Sequence, residues 1–164
     1  MNDGKLYRCR VAAQSDIPAL LALINLAYRV EAFFIKGQRT STEELRELIA
    51  APDADFLVLE AAPSGALAGS IYVKRKGEAS HLGFIAVDPA LQGQRLGHRL
   101  IAEAADHARA QGCTALELDV FDVREELHGF YRSAGFTETG TAPFEPKELL
   151  LKPAHLIQMR KSIA

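Results

Sequence analysis

The chain predicts one α/β domain spanning residues 1–164, and two observations carry that expectation. First, Ser80–Val87 ends apolar on both parities, as a strand buried on two faces does. Leu96, Leu100, Ile101, Ala104, Ala105 and Ala108 then recur at helical spacing until Gly112, and Thr114–Val120 alternates at period two. Strand, helix and strand form a βαβ unit, and the handedness rule makes its two strands parallel. Second, Val87-Asp88-Pro89-Ala90-Leu91-Gln92-Gly93-Gln94-Arg95-Leu96-Gly97 carries the chain from that strand into the helix with spaced glycines. The first amides of a helix lack internal partners and sit at the positive end of its dipole, so such a turn suits an anion, most simply a phosphate-bearing cofactor. Gly93 and Gly97 stand where a Cβ would obstruct close approach.

The other elements follow in order. Residues 5–12 alternate as a first strand, and Asp16 is placed to cap a helix with the apolar stripe Leu20, Leu23, Ile24 and Ala27. A mixed aromatic and charged connector from Tyr28 to Arg39 leads to Ser41-Thr42-Glu43-Glu44, a capping-box sequence opening a helix that runs through Ile49 and stops before Pro52. Phe56–Glu60 and Leu67–Lys74 read as a hairpin about Pro63-Ser64-Gly65. A helix around Tyr131 follows the βαβ unit, and residues 137–144 and 153–160 read as closing strands. The order is βααβββαβαββ.

Composition narrows the function. Nineteen basic against 21 acidic residues leave a net charge of −2, with no general attraction to nucleic acid or an anionic membrane. No apolar run approaches the roughly 20 residues of a membrane span, and Met1-Asn2-Asp3-Gly4 does not read as a signal peptide. Cys9 and Cys113 are isolated thiols, which favours a reduced, cytoplasmic setting. His81, His98, His107, His128 and His155 show no metal-ligand spacing, so no metal is expected.

Gln92-Gly93-Gln94-Arg95-Leu96-Gly97, followed by Leu127-His128-Gly129-Phe130-Tyr131-Arg132-Ser133-Ala134-Gly135-Phe136, resembles the two ordered signatures of the GNAT acetyltransferase superfamily. Its members move an acyl group from acyl-coenzyme A to an amine. The resemblance implies a mixed, mostly antiparallel sheet whose central parallel pair splays to admit acyl-CoA, with about four helices on its two faces. It implies cofactor contacts from Ile85, Ala86 and Val87 along the strand and from Gln92, Gly93, Gln94, Arg95, Leu96, Gly97 and His98 around the turn. Tyr131 matches the tyrosine that protonates the departing thiolate. Two positions depart from the pattern: Arg95 replaces a usual glycine, and Arg124 replaces an asparagine often found seven residues before the tyrosine.

The expected function is acetyl transfer from acetyl-CoA to a primary amine of a small molecule, with the two substrates bound together. On the acceptor side the candidates are Glu31, Arg39 and Glu117, each of which also has a packing or surface explanation. The alternatives are a peptide or protein amine as acceptor, and a noncatalytic acyl-CoA sensor. A dinucleotide site is disfavoured because Gly93 and Gly97 do not complete a GxGxxG fingerprint. A homodimer is compatible with the resemblance, and the sequence leaves the oligomeric state open.

Overall fold

The computed structural model describes residues 6–164. The expected start of the first strand at Lys5, and Met1–Gly4, lie outside the described residues. The strands are β1 (Tyr7–Val11), β2 (Ala54–Ala61), β3 (Leu67–Lys76), β4 (Ala79–Val87), β5 (Ala115–Phe121), β6 (Thr137–Pro143) and β7 (His155–Ser162). The helices are α1 (Ile17–Ala27), α2 (Thr42–Ala50), α3 (Leu96–Ala110) and α4 (Glu125–Ser133). Their order along the chain is the one expected from the sequence.

Residue parity along β2 divides the core into two layers, because successive side chains of a strand leave by opposite faces. Leu57 and Leu59 join Leu100, Ile101, Ala104 and Ala108 of α3, with Tyr131 of α4 in the same cluster. Phe56 and Val58 join Leu20, Leu23 and Ile24 of α1 and Leu45 of α2. Two helices therefore cover each face of one seven-stranded sheet, ordered β1-β2-β3-β4-β5-β7-β6. All neighbouring pairs are antiparallel except β4–β5.

That parallel pair is short. It joins Ala79 to Ala115, Ser80 to Leu116 and His81 to Glu117, and ends there. Beyond it β5 stays paired with β7 through Phe121, while β4 stays paired with β3 through Val87. The two strands thus part at their C-terminal ends. A register shift between Ser70 and Tyr72 marks a bulge in β4, where Phe84 takes the left-handed conformation at φ 49°. Such bulges bend a strand and end regular pairing beside it.

Two capping expectations are corrected. Asp16 makes no side-chain cap to α1; its carboxylate accepts from Arg10 at 2.8 and 2.9 Å and from the Ala13 amide at 2.7 Å, tying β1 to the turn before the helix. Ser41 does accept from the Glu44 amide at 3.2 Å, but Glu44 completes no box, because its carboxylate takes the Thr40 hydroxyl instead. The Tyr28–Phe33 part of the connector is a 3-10 helix. No helix of the described residues is long and apolar enough to cross a membrane.

Candidate active site

The open end of β4 borders a cavity of about 420 Å³. Ala27 and Tyr28 from the end of α1 wall one side, and Leu127, Phe130 and Tyr131 of α4 wall the other. Ile85, Ala86 and Val87, and Leu91, Gln92, Gly93, Arg95, Leu96, Gly97 and His98, complete the lining with Arg124. A second concavity of about 520 Å³ lies beside Pro143–Phe144 and Leu150–His155, away from the parted strands. Volume alone would select it, but the convergence of polar main chain and titratable groups selects the first.

The direction of the β4 main chain follows from its bonds. The Asp88 amide donates to the Ala68 carbonyl at 2.9 Å, and the Phe84 carbonyl accepts from the Ser70 hydroxyl at 2.9 Å, so both residues face β3. Peptide groups alternate along a regular strand, which turns the N–H and C=O of Val87, beyond the bulge, into the gap, with Ile85 beside it in the lining. No strand of the sheet pairs with them there.

At the next turn, Gly93 stands at φ +89° and Arg95 at φ 60°, ψ 27°. The first internal bond of α3 runs from the Arg99 amide to the Arg95 carbonyl at 3.1 Å, and no side chain caps the helix. The amides of Leu96, Gly97 and His98 are therefore the unpaired donors of the first turn, beside the cavity. Arg95 holds a conformation that costs a non-glycine residue about 1–2 kcal/mol. This explains why glycine suits the position, and the main-chain turn forms without it.

The two glycines of the turn also serve the fold itself. A Cβ on Gly93 would meet no protein atom within 4 Å, and its φ of +89° independently calls for glycine. A Cβ on Gly97 would stand 2.9 Å from Phe130 Cζ, so Gly97 admits α4 against α3. Replacing Gly97 by Val should push Phe130 into the cavity, destabilise the fold by about 1–3 kcal/mol through overpacking and weaken cofactor binding. Thermal unfolding and a cofactor titration check both effects.

Tyr131 is buried, packed edge-on against Phe130 and Phe136, and lines the cavity. Burial drives its phenol far above the ordinary tyrosine range, so it is protonated at any working pH. Arg124, at the start of α4, reaches back across the chain to Glu31 at 2.7 Å and also holds Glu126 at 2.6 Å. Both Arg124 and Glu31 are nearly enclosed, with side chains 12% and 8% exposed. Burial raises the Glu31 carboxyl above its usual range even beside this guanidinium.

The remaining candidates separate. Gln94 is absent from the lining; its side-chain carbonyl accepts from the Tyr7 hydroxyl at 2.7 Å, tethering the turn to β1. The His98 imidazole is engaged by Ser133 at 3.2 Å and by the Phe130 ring, leaving its amide as the group at the helix start. Glu117 lies where β4 and β5 are still paired and is bonded to Arg160 at 2.7 Å, away from the cavity. Arg39 lies over Phe84 and Tyr28. His128 bonds the Phe121 carbonyl at 3.1 Å, joining α4 to β5. The Cys9 thiol is pushed up to about 11, chiefly by burial and then by Glu103. No group of three or more His, Cys, Asp or Glu side chains suited to a metal occurs among the described residues. Sequence reasoning missed Tyr28 and Arg124; the Arg124–Glu31 contact spans 93 positions and leaves no local pattern.

Comparison with known proteins agrees with this geometry. The profile of the Acetyltransferase (GNAT) family matches residues 20–136. Glucosamine 6-phosphate N-acetyltransferase 1 of Oryza sativa subsp. japonica is 36% identical over 83% of this chain and 84% of its own. IAA acetyltransferase of Azospirillum brasilense is 30% identical over 86% of this chain and 94% of its own. Among solved structures, the ribosomal-protein-S18-alanine N-acetyltransferase of Escherichia coli superposes with a TM-score of 0.78 at 20% identity, covering 97% of this chain and 95% of that one, a likeness of fold.

Proposed function

The chain belongs to the GNAT acetyltransferase family, and on that footing we propose that it moves the acetyl group of acetyl-CoA directly to a primary amine of a small molecule. The observation that carries this reading is the single cavity joining the uncapped start of α3, the unpaired main chain of β4 and the buried Tyr131. The relatives support a small acceptor, since one is named for an amino sugar phosphate.

In this reading the diphosphate of the cofactor accepts from the amides of Leu96, Gly97 and His98, satisfying orphan donors at the positive end of the α3 dipole. Its pantetheine arm pairs with Ile85 and Val87 as a strand would, which fixes the thioester against the acceptor. The Val87 amide then donates to the thioester oxygen as it gains charge. The free amine attacks the carbonyl carbon, the C–S bond breaks as Tyr131 gives its proton to the leaving sulfur, and the proton shed by the newly acylated nitrogen passes through water to restore the phenol. Burial raises the basicity of a thiolate expelled there as it raises the phenol, so donor and acceptor shift together.

Release of free thiol from acetyl-CoA, measured across amino sugars, polyamines, amino acids and peptides, tests the reaction. Turnover confined to small amines is expected. Turnover confined to peptides, or thiol release with none of them, contradicts it. Acetyl-CoA at a hundredfold excess over its Kd should stabilise the fold by about 2.7 kcal/mol, raising Tm by about 5–10 °C, and NAD should not. A scanning-calorimetry series with each ligand checks this.

A further inference from the structure

Arg39 occupies an unusual position for a cation. Its guanidinium carbon stands 4.0 Å from the centroid of the Phe84 ring and 5.2 Å from that of Tyr28. No carboxylate of the described residues lies within 4.0 Å of it. Arg29, Arg46, Arg75 and Arg95 likewise have no carboxylate partner among the described residues, so what sets Arg39 apart is the pair of aromatic rings it lies over.

The stack is anchored on both sides. The Asn25 side chain clamps the next residue, donating to the Thr40 carbonyl at 3.2 Å and accepting from its amide at 3.0 Å. The Phe84 ring is held by Phe56 and Tyr72, with centroids at 5.7 and 6.2 Å. Stacking on Phe84 uses the face of the guanidinium; the Tyr28 hydroxyl engages part of its edge, and the remaining N–H donors are available to a ligand. Those donors form a planar fork that matches a carboxylate or phosphate by two parallel bonds. The position also bears on the reaction: Phe84 directly precedes Ile85, and Tyr28 lines the cavity on the α1 side, opposite α4.

We propose that Arg39 is the anion-binding residue of the acceptor site, and that the acceptor is an amine that also carries a carboxylate or phosphate. This rests on the acetyl-transfer reading, with α3 holding the cofactor and the α1 side left to the acceptor. The anion docks on the edge of the Arg39 guanidinium while the amine reaches past Phe84 toward the thioester. Arg39 determines specificity and takes no part in bond making.

Matched pairs test it: glucosamine 6-phosphate against glucosamine, and β-alanine against β-alaninamide, with wild type, Arg39→Lys and Arg39→Met. In wild type, kcat/KM by thiol release should favour the anionic member of at least one pair by tenfold or more; the pair showing it distinguishes phosphate from carboxylate. Arg39→Met should collapse that ratio toward one, mainly through KM, and Arg39→Lys should keep part of it. Equal rates within both pairs, or a ratio unmoved by Arg39→Met, overturns the proposal. Calorimetry of the same four probes on CoA-loaded protein reads the charge preference without turnover, so failure of acetyl transfer is separable from failure at Arg39. Binding of an anionic probe that Arg39→Met abolishes sustains the assignment even without thiol release. No charge preference in binding overturns it.

Discussion

Replacing Tyr131 by Phe should lower kcat by about 10²-fold or more, the range ascribed to a positioned general acid, while the Kd for acetyl-CoA changes little. The exchange removes one oxygen from a ring that otherwise packs unchanged against Phe130 and Phe136. Among the described residues the hydroxyl has no hydrogen-bond partner, so its loss orphans no buried group and stability should hold within about 0.5 kcal/mol. Single-turnover measurements separate acetyl transfer from binding, and the loss should appear in the transfer step. Unchanged transfer would reduce Tyr131 to a packing residue.

Replacing Arg124 by Met should destabilise the protein by about 3–5 kcal/mol, because it leaves the Glu31 carboxylate buried without its partner. For a domain of this size that corresponds to a fall in Tm of about 6–20 °C. The effect depends on pH in a definite direction. The Glu31 carboxyl titrates above its ordinary value in the folded protein, so its burial is tolerated fully when protonated and penalised as pH rises through the folded-state value. Loss of Arg124 raises that value further. The deficit of the variant should therefore be largest at neutral pH and shrink as pH falls toward the ordinary carboxylate range. Adding Glu31→Leu to Arg124→Met should restore much of the stability, and thermal melts of the double-mutant cycle across pH check it.

The architecture was legible because most of it is encoded locally. The α3 stripe, the period-two run of β5 and the hairpin residues around Gly65 each declare an element within a few positions. The site was legible only where the main chain builds it. Leu96, Gly97 and His98 could be read as free donors because a helix start leaves its first amides unpaired whatever the side chains are, and the structure sets them beside the cavity. The packing role of Gly97 was not legible, since Phe130 approaches it from a different helix. The acceptor side was least legible. Arg124 meets Glu31 through folding alone, and Arg39 meets Phe84 at the bulge of β4, where that residue stands at φ 49°. Glu117 shows the converse. Its alternating strand pattern placed it on an exposed face, but pattern cannot tell which end of a strand opens, and it lies at the closed end with Arg160.

Hydrogen exchange at single-amide resolution, with and without saturating acetyl-CoA, tests most directly whether the parted strands and the α3 start hold the cofactor. Exchange should slow at Val87 and at Leu96, Gly97 and His98, while the Glu117–Arg160 end of the sheet stays as it was. Tight binding that leaves those four amides exchanging at their free rates would contradict the account.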